Sequence, residues 1–291
     1  MSQVVPDQAE GLRRLFARSL VRSVAFVGGR PGIGRSGLVA HLGVALARRG
    51  QSVCIVERDP AGVSAGEKLG VVRPRDLADV IRREVALPGI VGSGPEGVRF
   101  VRASAAGRLL SALPASEEDQ LTEAFSRLEP SVDMLLVDAP AGAGDEAASC
   151  AVAASEIVLV VAAGADGITD GYAVVKRLMR DAPLRRVHVV VTRARGLDHA
   201  QAIHDNLAAT ARRFLSVSMA WLGWIPEDPD MSKALRLHQA VPCAFPTSAS
   251  AFALGEMADT LLHWPYAGED CLDGFVHRLV QASRSLPSAN A

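Results

Sequence analysis

The sequence predicts an α/β protein: a mostly parallel sheet covered by helices on both faces, with helical appendages at the N- and C-termini. Three observations predict it. Apolar, β-branched runs alternate with helical patterns from residue 23 to about residue 263, which calls for right-handed crossovers between parallel strands. The runs Met134-Leu-Leu-Val137 and Ile157-Val-Leu-Val-Val161 are continuous rather than alternating, as strands buried on both faces are. A glycine-rich turn, Gly28-Gly-Arg-Pro-Gly-Ile-Gly-Arg-Ser36, stands between the first apolar run and a long helical pattern.

Taken in order, the apolar runs predict strands over 24–28, 53–57, 98–101, 134–138, 157–162, 187–192 and 219–225. Helical spacing fills the intervals near 37–49, 75–86, 117–129, 145–154, 168–181 and 199–213. Residues 89–97 are rich in glycine and read as a loop. The core is expected to end near Trp264-Pro265, giving an N-terminal helix over 1–22, a main domain over 23–265 and a C-terminal helix over 266–291.

Composition narrows the function. A hydrophobic content of 49% with 22% charged residues is that of a globular chain with a large core. The net charge of −1 gives no support for a general nucleic-acid surface, so no specific nucleic acid is expected. Four scattered cysteines form no C-x-x-C pair and read as reduced thiols of a cytoplasmic protein. The first residues do not resemble a secretory signal. No apolar run reaches the roughly 18 residues of a membrane span.

The turn carries the chemistry. Strand, glycine-rich turn and helix form the context of a P-loop, whose pattern G-x-x-x-x-G-K-[ST] is met here as Gly29-x-x-x-x-Gly34-Arg35-Ser36. Gly29, Gly32 and Gly34, with Ile33 between the last two, let backbone N–H groups face phosphate oxygens at the positive end of a helix dipole. Arg35 stands where a lysine is expected and is read as the replacement catalytic cation. Lysine is a compact point charge, whereas guanidinium is planar and forked. The chain has only three lysines, Lys68, Lys176 and Lys233, so a general preference for arginine accounts for the exchange without making it chemically neutral.

Two carboxylates fall at carboxyl ends of strands, where open α/β sheets place their ligands. Asp138 closes the strand over 134–138 and suits a Walker-B role, holding a water of the Mg²⁺ shell while Ser36 gives its hydroxyl to the metal. A turn-capping aspartate is the plainer reading. Asp59, in Ile55-Val-Glu-Arg-Asp-Pro60, is positioned to orient the attacking water, or simply opens an Asp-Pro turn. The turn Gly223-Trp-Ile-Pro-Glu-Asp-Pro229 offers Pro226 and Glu227 as an edge for a purine ring.

Both termini read as amphipathic helices. Asp7 and Glu10 make a capping-box-like start, after which Leu12, Leu15, Phe16 and Leu20 share a stripe and Arg13, Arg14, Arg18 and Arg22 take other faces. Docking on a partner and packing on its own domain both suit this pattern. At the other end Leu272, Phe275, Val276, Leu279 and Val280 form a stripe suited to a bilayer interface or to capping the core.

Together these residues resemble the MinD/ParA class of P-loop ATPases, and more narrowly the flagellar-number regulators of the FlhG or FleN type. The class's loop Lys-Gly-Gly-x-Gly-Lys-Thr maps onto Arg30-Pro-Gly-Ile-Gly-Arg-Ser36, its Asp-Ala-Asp motif onto Glu57-Arg-Asp59, and its third motif onto Asp138-Ala-Pro-Ala-Gly142. The stretch Ile168-Thr-Asp-Gly-Tyr-Ala173 and the turn at 223–229 are similar to the flagellar branch. Asp7-Gln8-Ala9 with Leu12-Arg13 resembles that branch's activator helix for the partner GTPase FlhF, and the C-terminal stripe resembles its membrane-targeting helix.

The resemblance implies ATP and Mg²⁺ as cofactors, ATP hydrolysis as the activity and nucleotide-dependent homodimerisation. It further implies contact with a flagellar transcription activator and switch-complex proteins. The implied location is cytoplasmic, with weak peripheral contact at the inner membrane or cell pole. The class uses two loop lysines, one for its own nucleotide and one crossing to the other monomer. Both positions are arginine here, Arg35 and Arg30, and Pro31 removes an N–H between them. The alternatives are a nucleotide-silent adaptor of the same fold and, from another branch, a partition ATPase that binds DNA.

Overall fold

The computed structural model describes residues 20–60, 63–128, 132–181, 186–265 and 270–285. Asp7, Gln8, Ala9, Leu12 and Arg13, assigned above to a partner helix, lie outside the described residues. From the front, β1 (Arg22–Val27) leads through the turn to α1 (Arg35–Ala47) and β2 (Val53–Glu57). Short helices α2 (Ala65–Lys68) and α3 (Leu77–Ile81) precede β3 (Gly92–Ser93) and β4 (Arg99–Arg102). Then come α4 (Gly107–Ser111), α5 (Ala115–Ser126), β5 (Met134–Asp138), α6 (Asp145–Ala153) and β6 (Glu156–Ala162). The chain continues with α7 (Ala165–Asp181), β7 (Arg186–Ala194), α8 (Leu197–Leu215) and β8 (Ser218–Pro226). It closes with α9 (Pro229–Arg236), α10 (Val241–Ala244), α11 (Ala249–His263) and α12 (Leu272–Ser285).

The strands form one eight-stranded sheet in the order β3-β4-β2-β5-β1-β6-β7-β8. Every pairing is parallel except that of β3 with β4. Each predicted strand is present within two residues at either end. The stretch 89–97 is more than a loop: it holds the two-residue edge strand β3, which apolar periodicity cannot reveal in so short a segment. The helix expected over 75–86 is shorter, capped by reciprocal bonds between Asp76 and Asp79.

Alternating side chains of the central strands feed two cores. Val24 and Phe26 of β1 pack with Met134 and Leu136 of β5 against α1 and α11. Ala25, Val27, Leu135 and Val137 point to the opposite face, toward α6, α7 and α12. Every residue of β1, β2 and β5 is buried, which is why their sequences read as unbroken apolar runs. β1 lies between β5 and β6, with β2 beyond β5, so the chain reverses its direction of winding there. The carboxyl end of β1 is therefore the topological switch point at which α/β folds bind ligands.

One expectation is corrected. α12 is not an appendage offering its stripe to a bilayer: Leu272, Phe275, Val276, Leu279 and Val280 are at most 4% exposed. They belong to the core on the α6 and α7 face, and α12 packs against α4, α5 and α6. The cause is a matching polar anchor beside the apolar stripe. Asp270 accepts from Ser23 Oγ at 2.9 Å and from Arg278 Nη2 at 2.6 Å, and Arg278 Nε also donates to the Ala153 carbonyl at 2.9 Å. Burial works the other way, yet the bonds from Arg278, Ser155 and Ser23 hold the Asp270 carboxyl below its usual range. No helix among the described residues is long and apolar enough to cross a membrane.

If α12 is core, Phe275→Ala opens a cavity beneath it and lowers the unfolding free energy by about 3–5 kcal/mol, as read from denaturant unfolding. A surface helix would lose under about 1 kcal/mol.

Candidate functional site

The turn after β1 is built by what each glycine excludes. A Cβ on Gly28 would stand 2.3 Å from Ile33 Cδ1, and one on Gly29 would stand 2.4 Å from Asp170 Cβ on α7. Gly32 and Gly34 have φ of +78° and +93°, the left-handed region in which a side chain is strained. Gly34 then starts α1 with no side-chain cap. The first N–H groups of a helix have no intrahelical acceptor, so those of Arg35, Ser36 and Gly37 form an anion-attracting end. The loop carbonyls are tied back: Thr192 Oγ1 donates to Ile33 O at 2.7 Å, and Arg193 Nη2 donates to Gly32 O at 2.6 Å.

The loop borders a cleft of about 1030 Å³. Arg30, Pro31, Gly32, Ile33, Gly34, Arg35 and Ser36 line one side, Asp59, Val63 and Lys68 another. Ile225, Pro226, Glu227, Met231 and Leu235 close the third. One end is thus polar and cationic and the other apolar, the division a nucleotide requires. Asp228 fixes the far wall, accepting from Asp230 N at 2.8 Å and Ser250 N at 2.9 Å. The predicted nucleotide residues meet in one place, except that Gly29 lies behind the loop against α7. Thr192, Arg193 and Lys68 were missed. The first two stand at the carboxyl end of β7, a position that strand order alone marks, and Arg193 has a left-handed φ of 58°.

The floor of the site holds its decisive feature. Arg35 lines the cleft but is only 4% exposed, its head turned onto two carboxylates. Its Nε donates to Asp138 Oδ1 at 2.6 Å and its Nη2 to Asp59 Oδ2 at 2.5 Å. The carboxylates come from the ends of β5 and β2, neighbours in the sheet. Burial pushes the Asp138 carboxyl up, opposed by the charge and hydrogen bond of Arg35 and by the Ser36 hydroxyl. Glu57 is likewise pushed up by burial, against the bond that it accepts from Gly66 N at 2.5 Å.

This geometry corrects two assignments. Arg35, read above as a substitute for the catalytic lysine, is folded beneath the loop because a guanidinium is long enough to reach both carboxylates. Asp138 and Asp59, read as metal-shell and water-orienting groups, each give one oxygen to Arg35 instead. A nucleotide fits the cleft: uncapped helix N–H groups face it, and Arg35 Nη1 is a buried donor without a partner among the described residues. A hydrated Mg²⁺ between Ser36 and the carboxylates does not fit, because a cation is already there. Arg30 lines the cleft but is held by α7, pairing with Asp170 at 2.8 Å and Asp166 at 3.4 Å.

Comparison with known proteins agrees with this architecture. A family model described as the CobQ/CobB/MinD/ParA nucleotide binding domain matches residues 24–241. Antiactivator FleN of Pseudomonas aeruginosa is 34% identical over 272 residues, covering 93% of this chain and 97% of that one. The flagellum site-determining protein YlxH of Helicobacter pylori is 20% identical over 241 residues, 82% of this chain and 81% of that one. Among solved structures, the MinD cell division protein of Aquifex aeolicus aligns with a TM-score of 0.64 at 19% identity, covering 84% of this chain and 98% of that one. MinD of Pyrococcus horikoshii, complexed with Mg-ADP, has the same TM-score at 23% identity, covering 83% and 96%. At such identities the solved structures establish the fold.

Arg35→Ala removes one partner of a buried charge cluster and is expected to lower stability by about 3–5 kcal/mol. The sign of its pH dependence follows from Asp138. Without Arg35 the carboxyl's folded pKa rises further above its unfolded value, so the variant's deficit is smallest near pH 4 and grows as pH rises. Thermal melts of both proteins across that range check it; a deficit independent of pH contradicts the pairing.

Proposed function

Because this chain belongs to the CobQ/CobB/MinD/ParA nucleotide-binding family, we propose that it is a MinD-like, ATP-binding regulator of flagellar number and placement. The observation that carries this reading is the 34% identity to Antiactivator FleN, sustained over 93% of the chain. A likeness of that length includes the nucleotide cleft. Bound ATP supplies a polyphosphate anion whose charge the loop can sense. The N–H groups of residues 32–36 orient it, Lys68 and Arg193 add positive charge, and Pro226 and Glu227 edge the base.

In the same proposal the N-terminal segment carrying Asp7, Gln8, Ala9, Leu12 and Arg13 acts on the GTPase FlhF. A flagellar transcription activator and switch-complex proteins are the further partners, and a nucleotide-dependent homodimer is the working state. The location is cytoplasmic, at the cell pole. Membrane contact through α12 is not part of the proposal, since its apolar stripe is buried. The nucleotide-silent adaptor is the second reading, favoured by one observation: with Arg35 paired to Asp59 and Asp138, no loop cation is free to stabilise charge on a transferring phosphoryl group.

An antiactivator restrains flagellar gene expression, so deleting this gene in its own host is expected to raise the number of flagella per cell, counted by electron microscopy. An unchanged count and unchanged flagellar transcripts contradict the proposal. A chromosomal Gly34→Val variant, with protein level verified by immunoblot, separates the two readings. A regulator that senses nucleotide then behaves as the deletion, and a silent adaptor behaves as wild type.

A further inference from the structure

The P-loop pattern places a lysine before the serine so that its ammonium extends to the phosphates, while the serine and a strand-end aspartate hold the metal. Here the residue at the lysine position has moved to the metal's place. The Arg35 head is buried and grips Asp138 Oδ1 at 2.6 Å and Asp59 Oδ2 at 2.5 Å. The Ser36 hydroxyl lies beside the same Asp138 carboxyl. Serine, aspartate and the carboxylate of the neighbouring strand thus surround a guanidinium.

We propose that Arg35 is a built-in cation that replaces Mg²⁺ at this site, so that this protein binds its nucleotide without a divalent metal. The inference rests on the nucleotide-binding reading and departs from the metal dependence which that reading would otherwise carry.

Three physical points support it. Mg²⁺ requires near-octahedral oxygen ligands at about 2.0–2.1 Å. One oxygen of each carboxylate, Asp138 Oδ1 and Asp59 Oδ2, accepts from Arg35, and a second cation in the same gap is repelled by the guanidinium. Guanidinium also keeps its proton at every physiological pH, so the positive charge is permanent, unlike a metal that comes and goes with the nucleotide. Finally, Nη1 is a buried donor with no partner among the described residues, while Nε and Nη2 are engaged. An anion seated on the loop supplies the missing acceptor. Lys68 and Arg193 also line the cleft and add protein charge beside the loop N–H groups.

The test is the affinity of the full-length protein for a fluorescent ADP analogue, titrated in millimolar Mg²⁺ and again in excess EDTA. The proposal expects the two dissociation constants to agree within about threefold. A loss of about tenfold or more in EDTA overturns it. No binding in either buffer overturns the nucleotide reading, and the proposal with it. Arg35→Lys supplies the second arm, since a single ammonium cannot bridge both carboxylates. This variant is expected to bind the analogue at least about tenfold more weakly in EDTA than in Mg²⁺, with folding checked by thermal melt. If the folded variant remains indifferent to Mg²⁺, Arg35 is not what replaces the metal, and the proposal fails.

Discussion

The site depends on one buried ionic cluster, Arg35 between Asp59 and Asp138. Two carboxylates at neighbouring strand ends, 10% and 1% exposed as side chains, cannot both stay charged without a cation between them. Arg35 supplies that cation from the first turn of α1, so the glycine loop, β2 and β5 are tied at one point. Hydration lost by all three groups is offset only because each finds an opposite charge at hydrogen-bond distance. The cluster fixes the floor of the cleft, and it decides what chemistry the floor can perform.

Everything around it serves to hold the loop. β1 delivers the turn at the reversal point of the sheet, Gly28 and Gly29 let α7 and Ile33 close against the backbone, and Thr192 and Arg193 clamp the loop carbonyls. The N–H groups are thereby left toward the cleft, beside the cationic side chains of Lys68 and Arg193. This arrangement suits a protein whose output is a change of state upon binding. It suits rapid turnover poorly, because Arg35, at the position of the P-loop lysine, is held by two carboxylates and is not released to follow charge onto a leaving phosphate.

Much of this was legible in the sequence, and the reasons differ by residue. Unbroken runs such as Met134-Leu-Leu-Val137 revealed the central strands because a strand covered on both faces has no polar alternation. Asp59 and Asp138 were placed by their strand ends alone. The direction of the Arg35 side chain was not legible: a motif fixes a position, whereas a rotamer follows from what lies within reach. The stripe of α12 misled for another reason. A membrane-facing helix and a core-facing helix need the same apolar spacing, and only the anchor from Asp270 to Ser23 and Arg278, distant in sequence, separates them. Thr192 and Arg193 carry no motif, and their role appears only once β7 is known to end beside the loop.

The most direct test of this account is a crystal structure of the protein grown with ADP and Mg²⁺. The account predicts that Arg35 remains within hydrogen-bond distance of both Asp59 and Asp138, with phosphates on the loop N–H groups and no metal between Ser36 and Asp138. A guanidinium turned outward onto the phosphates, with an octahedral metal bound at Ser36 and Asp138, would contradict it.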